Sequence, residues 1–427
     1  MLGVNMKIRI PYGKGFLETT ISDKRIAGII TSNLDRYETE ESENEIIKKA
    51  MQHPYGCCRL EKLAKGKNKI VIIASDHTRP VPSRLIIPLM LEEIKRGNPD
   101  AEITILIATG CHRETTRNEL TEKFGKEIVN KIPIVIHDCD AREQVYLGKL
   151  PSGGELFINK MAAEADLLIA EGFIEPHFFA GYSGGRKSVL PGIASRKTVY
   201  ANHCAEFIAD PKAQYGILEG NPIHEDMIFA ARKAGLAYIV NVVINSRHKV
   251  IGAFAGDAED AHLKGVQFLE GLCKTDKIIS PIVITSNNGF PMDQNIYQSV
   301  KGMATAENCC EKGGVIIMAA ECREGCGAEG FYKTFSQEKD AGIILEKILS
   351  TGRNKTEADQ WQSQIFARIV HKFTVILVSA AEPELVRQMH LIPADNLEHA
   401  LSIADTILGR EKKITIIPEG LTSIIRV

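Results

Sequence analysis

The chain has 427 residues, 44% hydrophobic and 25% charged, with a formal net charge of −2. That length accommodates two domains with full cores, the composition excludes disorder, and a near-neutral balance without a clustered basic face argues against nucleic acid as a partner. No apolar run approaches a bilayer span and the opening MLGVNMKIRIPYGKG lacks the apolar core of a signal peptide, so no membrane role and a cytoplasmic location are expected.

The runs MKIRIPYG and GFLETTIS predict an opening β-hairpin, and ESENEIIKKAM predicts a helix with acidic residues at its start. KNKIVIIASDHTRPVPS then reads as an apolar strand ending in polar residues, followed by a helix through LIIPLMLEEIKRG. AEITILIATGCHRETTRNELTEKFG repeats that unit, and KIPIVIHDCD and ADLLIAEGFIEPH supply further strands. Continuous apolar strands alternating with helices imply a parallel sheet covered on both faces, with ligands beyond the carboxyl ends of its strands. Asp76, Arg79, His112 and His177 all follow such strand ends and are expected to converge. Further along, AYIVNVVIN reads as a strand, GAFAGD as a turn and DAEDAHLKGVQFLEGLCK as a helix. The pattern restarts after about residue 273 with PIVITSNNGF, the helix around DQNIYQSVKGMATA, the strand GGVIIMAAECREG, a helix SQEKDAGIILEKILS, the segment DQWQSQIFARIVHK, the strand FTVILVS and a helix through NLEHALSIADTILG. The fold expected is therefore α/β in two domains, each a mostly parallel or mixed sheet covered by helices. Ten cysteines without paired zinc-ribbon spacing are expected to be reduced.

The stretch from Glu171 to His203, EGFIEPHFFAGYSGGRKSVLPGIASRKTVYANH, gathers two histidines, a lysine and a paired-glycine turn. Pro176 favours extended backbone before it, with the His177 ring against Phe178 and Phe179. Gly181, Gly184 and Gly185 permit close backbone approach, and Ser195 is expected to cap a helix that ends near His203. A glycine turn ending in Lys-Ser suggests a nucleotide P-loop, but that motif needs glycine immediately before the lysine and Arg186 stands there. A neighbouring cation also favours the free, nucleophilic amine of Lys187. The opposing reading is a solvated surface lysine.

These residues resemble those of the nickel-dependent lactate racemase family. The match rests on GGRKS, the spacing His177, Lys187, His203, the pair Asp76 and Arg79 in SDHTRPVPS, His112, the segment DQNIYQSVKGM, and the single tryptophan, Trp361. The resemblance implies that Lys187 is covalently joined to a pyridinium-3,5-bisthiocarboxylic acid mononucleotide carrying nickel, with His203 as the protein's nickel ligand. Asp76, Gly184, Gly185 and Ser188 would line the cofactor. His112 and His177 would be the acid/base pair, one for each enantiomer, and Arg79, Tyr297, Gln298, Lys301 and Trp361 would contact the substrate. It further implies D/L-lactate interconversion through pyruvate by proton-coupled hydride transfer, a site in the cleft between domains, and other proteins that make and load the cofactor. The expected division is 1–272, joined by a C-terminal strand at about 405–427, and 273–404. One departure is Cys111, where the family has threonine. Alternatives are another 2-hydroxy acid as substrate, a zinc metallohydrolase using His112, His177 and His203, and a module that binds a phosphorylated metabolite on the glycine turn.

Overall fold

The computed structural model describes residues 5–426. The larger of two units comprises Leu34–His203 and Asp210–Leu272. The smaller comprises the described residues up to Asn33, the short segment Cys204–Ala209, and the chain from Cys273 on.

In the larger unit a six-stranded sheet runs in the order Val250–Gly256, Leu236–Ile244, Leu167–Phe173, Lys69–Ser75, Glu102–Ala108, Ile134–Ile136. All pairings are parallel except the first, which is antiparallel. GAFAGD is thus part of an edge strand rather than a turn, because Ile239 to Ile244 pair along it. The inner strands are largely apolar, with Glu171 and Asn241 as buried polar exceptions. Ile72, Ile105, Ile169 and Val240 pack with Ile47, Ile86 and Met90 from helices Glu43–Gln52 and Ser83–Gly97. Capping boxes at Ser42/Glu45 and Thr116/Glu119 start two of the helices. From Lys69–Ser75 the chain builds outward on one side through Glu102–Ala108, and later on the other through Leu167–Phe173. The strand order therefore reverses between Lys69–Ser75 and Leu167–Phe173, which is where an open sheet leaves a crevice beyond its carboxyl edge.

The smaller unit holds a second six-stranded parallel sheet: Ile392–Ala394, Thr374–Val378, Cys310–Ala319, Ser280–Ser286, Ile414–Ile417, Ile26–Ile29. The resemblance sent the last strand back to the first domain. Instead Ile414–Ile417 pairs with Ser280–Ser286, and its four residues are buried there. The opening hairpin belongs with the same body, because Ile8, Ile10 and Ile21 bury beside Ile284, Ile317 and Ile416. The segment SQEKDAGIILEKILS is also divided: Gln337 ends one helix and Asp340 caps the next by accepting from the Gly342 amide.

Candidate active site

Beyond strand Lys69–Ser75, the backbone turns through Asp76 and Arg79 before helix Ser83–Gly97 begins. The buried Asp76 carboxylate accepts from His112 Nδ1 at 2.7 Å and from the Thr78 hydroxyl at 2.7 Å. Burial alone would raise its pKa, but the hydrogen bond and charge of His112, then Thr78 and Arg79, draw it down to about 2. Asp76 is therefore an anion that fixes the His112 ring with its proton on Nδ1, leaving Nε2 to accept a proton. The His112 side chain is 47% exposed. Arg79 is half-buried and forms no salt bridge among the described residues.

Two side chains that the sequence reading passed over hold this loop. Glu171, in strand Leu167–Phe173, accepts from the Ser75 amide and hydroxyl at 2.9 and 3.0 Å, and from the Ser83 hydroxyl at 3.1 Å. Lys123 donates to the Arg79 carbonyl at 3.0 Å. A glutamate inside the apolar run ADLLIAEGF was the available signal; Lys123 offered none.

On the neighbouring strand end, Pro176–His177 pairs with Gly181–Tyr182 in a tight hairpin. The His177 ring lies 4.5 Å from Phe179 and 5.2 Å from Phe178, between ring centroids. Its Nδ1 accepts the Ala180 amide at 3.3 Å, and its Nε2 lies 3.3 Å from Lys187 Nζ. Nε2 is thus the ring nitrogen that faces Lys187. Lys187 Nζ also sits 5.6 Å from the Phe179 centroid, against which the His203 ring is set edge-on at 5.1 Å. Ser195 caps helix Arg196–Asn202 and His203 terminates it. Burial, and then the Lys187 charge, push His203 down to about 3, so it is a neutral imidazole. Phe179 thus gathers His177, Lys187 and His203.

The turn carrying Lys187 is built against protein atoms. A Cβ at Gly184 would stand 2.6 Å from Asn241 Oδ1, and one at Gly185 would stand 2.9 Å from the His262 ring. The close approach expected of these glycines is thus made to Asn241, whose Oδ1 accepts the Gly185 amide at 2.7 Å, and to His262. Ser188 closes the turn, half-buried. Arg186 is not a surface neighbour of Lys187. Fully buried, it donates to the Ala180 carbonyl at 2.8 Å, the Gly184 carbonyl at 3.2 Å, the Ser183 carbonyl at 3.3 Å and His224 Nδ1 at 3.0 Å. No carboxylate reaches it among the described residues; burial lowers it to about 9. His137, at the end of a similar strand, is structural: its Nε2 donates to the Ala194 carbonyl at 3.0 Å and its Nδ1 accepts from Asn159 at 3.3 Å.

Tyr297, Gln298 and Lys301 lie on the first turns of helix Ile296–Glu307 in the smaller unit. The Tyr297 hydroxyl donates to Asp359 at 2.7 Å, its pKa raised by burial and by that carboxylate, and Lys301 donates to Gln298 at 2.8 Å. Trp361 sits at the start of helix Gln360–Lys372, half-buried.

A zinc site of His112, His177 and His203 does not form: among the described residues, only Asp138, Cys139 and Asp140 bring three candidate ligand atoms within 4.8 Å of one another. The donors present suit the cofactor expected from sequence. The Lys187 amine supplies an attachment point, and a buried neutral imidazole beside it suits a late transition metal with sulfur donors. No helix is long and apolar enough to cross a membrane among the described residues.

Residues 12–216 match the lactate racemase N-terminal domain and residues 275–425 the lactate racemase C-terminal domain. The chain is 54% identical to a lactate racemase of Thermoanaerobacterium thermosaccharolyticum over 98% of its own length and 99% of the relative's. It is 49% identical to that of Lactiplantibacillus plantarum, again over 98% of this chain and 99% of the relative. The solved lactate racemase apoprotein from T. thermosaccharolyticum superimposes with a TM-score of 0.96 at 53% identity, covering 99% of this chain and 100% of that one. The protein belongs to the lactate racemase family.

Proposed function

We propose that the protein interconverts D- and L-lactate, using a nickel-pincer nucleotide joined to Lys187 and ligated by His203. The observation that carries the reading is a pair of histidines beyond the strands that flank Lys69–Ser75 on either side: His112 held by Asp76 at 2.7 Å, and His177 beside Lys187 at 3.3 Å. Inverting a carbon that bears a hydroxyl by direct proton removal is difficult, because its C–H is weakly acidic beside a carboxylate. When bound, the cofactor supplies a reversible acceptor for the hydride of that C–H bond, so that a planar pyruvate can be reduced on either face.

The chain's own residues handle the protons and the carboxylate. Arg79 forms a two-pronged contact with the substrate carboxylate. His112 takes the hydroxyl proton on Nε2 while the Asp76 anion stabilises the imidazolium that results. His177 is the corresponding acid/base group for the opposite enantiomer, its Nε2 facing Lys187. Each histidine returns the proton in the reverse direction, so a single site serves both enantiomers.

Intact-protein mass and nickel analysis on protein from a cofactor-producing host test the assignment. Wild type is expected to carry an adduct with nickel and to racemise lactate; Lys187→Ala is expected to lose all three together. His203→Ala is expected to lose nickel, whereas His112→Ala and His177→Ala keep the cofactor and stop racemising. Racemisation by Lys187→Ala would overturn the anchoring role.

A further inference from the structure

Glu171 is a buried carboxylate that the reaction does not use, placed where the strand order reverses, on the strand beside the one that leads into Asp76. One of its oxygens takes the Ser75 amide and hydroxyl, at 2.9 and 3.0 Å, and the other takes the Ser83 hydroxyl at 3.1 Å. Ser75 is the last residue of its strand and Ser83 the first of its helix, so a single carboxylate ties both ends of the loop between them. That loop carries Asp76 and Arg79. Helix Ser83–Gly97 lacks a side-chain cap at Pro82, which leaves Glu171 as the anion at its start. Midway, Lys123 grips the Arg79 carbonyl at 3.0 Å. Burial lowers the Lys123 pKa against the opposing charges of Glu171 and Asp76, so the two carboxylates balance the lysine and Arg79.

We infer that Glu171 is the positioning residue of the active-site loop, acting through Arg79 and Asp76 without touching substrate. This rests on the lactate racemase reading. A carboxylate that only stabilised the fold would leave the substrate dependence of the loaded enzyme intact. One that sets the height of the loop controls where the Arg79 fork meets the substrate carboxylate, and a misplacement of about 1 Å costs on the order of 100-fold.

The test uses holoenzyme with Glu171→Ala, Glu171→Gln, Arg79→Ala and the double variant Glu171→Ala/Arg79→Ala. Adduct mass, nickel content, kcat and KM for lactate are measured, with amide hydrogen exchange over residues 76–82. Glu171→Ala is expected to keep adduct and nickel, to lower kcat/KM by roughly 100-fold with a raised KM, and to speed exchange in the loop. Glu171→Gln keeps an acceptor for both Ser75 donors and is expected to recover to within about 5-fold of wild type. The double variant should be no worse than Arg79→Ala alone, because the two act through one contact. Losses that simply add, an alanine variant within about 3-fold of wild type, or a glutamine variant as impaired as alanine would each overturn the inference. A wild-type enzyme that carries the adduct yet leaves lactate untouched would instead sink the functional reading. Loop exchange would then still decide the role of Glu171: faster exchange in Glu171→Ala supports it and unchanged exchange overturns it.

Discussion

Arg186 is the largest fully buried side chain among the described residues, and its charge is solvated by peptide carbonyls and an imidazole in place of a carboxylate. Only a planar fork with donors at three separated nitrogens can reach the Ala180 and Gly184 carbonyls and His224 at once. Lysine has one nitrogen on a flexible stem. Arg186→Lys is therefore expected to leave buried acceptors unpaired, costing roughly 2–3 kcal/mol, and to lower adduct formation because the turn no longer presents Lys187 beside His177. Calorimetry and intact mass check both halves. A variant with wild-type melting and full adduct would show that the guanidinium fork is dispensable. In the sequence, Arg186 appeared only as the neighbour of Lys187. Its burial depends on His224 and on the carbonyls of its own turn, a contact set that no local pattern announces.

Two elements meet at the glycine turn: the hairpin that carries His177, and the inner strand Leu236–Ile244 that lends Asn241. Gly184 adopts φ 77°, and a side chain there would press on Asn241 Oδ1 at 2.6 Å and the Phe173 carbonyl at 2.9 Å. Gly184→Ala is expected to destabilise the larger unit by about 2 kcal/mol or more and to cut cofactor attachment, since backbone strain and contact act together. Unchanged melting would mean that the turn can shift freely. Much of this element-level design was legible beforehand. Apolar strands ending in Asp76, His112 and His177 announced a parallel sheet with its chemistry at one edge, because period and strand-end polarity are local properties. The Ser195 cap and the helix ending at His203 were legible for the same reason. Partner choice was not: Ile414–Ile417 and the opening hairpin have ordinary strand patterns, and only long-range burial with Ile284 and Ile317 decides which sheet they join. The edge strand Val250–Gly256 was missed because alanine and glycine in GAFAGD weaken the strand signal that its neighbour enforces.

At the scale of the whole molecule, the larger unit folds around histidines kept neutral by burial, and this sets its response to acid. Burial lowers His137 and places His262 well below its ordinary value, the latter helped by the Arg186 charge; burial and Arg186 bring His224 down to about 3. Above about pH 6.5 these rings are neutral whether folded or unfolded, and contribute no pH dependence. Below it the unfolded chain takes up protons that the folded chain refuses, so stability falls as pH drops, by at most about 1.4 kcal/mol per pH unit for each histidine. Asp76 acts later. Its folded value of about 2 lies under the ordinary carboxylate value of about 3.9, so its contribution is present above that value and is lost only as pH falls towards 2. Between pH 6.5 and 4.5 the histidines therefore dominate among these groups. Calorimetry of the apoprotein across that window is expected to show a falling transition, and His224→Gln, which keeps an acceptor for Arg186 but cannot bind a proton, should make the fall shallower. An equally steep fall in that variant would mean that His224 is protonated in the folded protein, and would remove it from the set of neutral rings around Arg186.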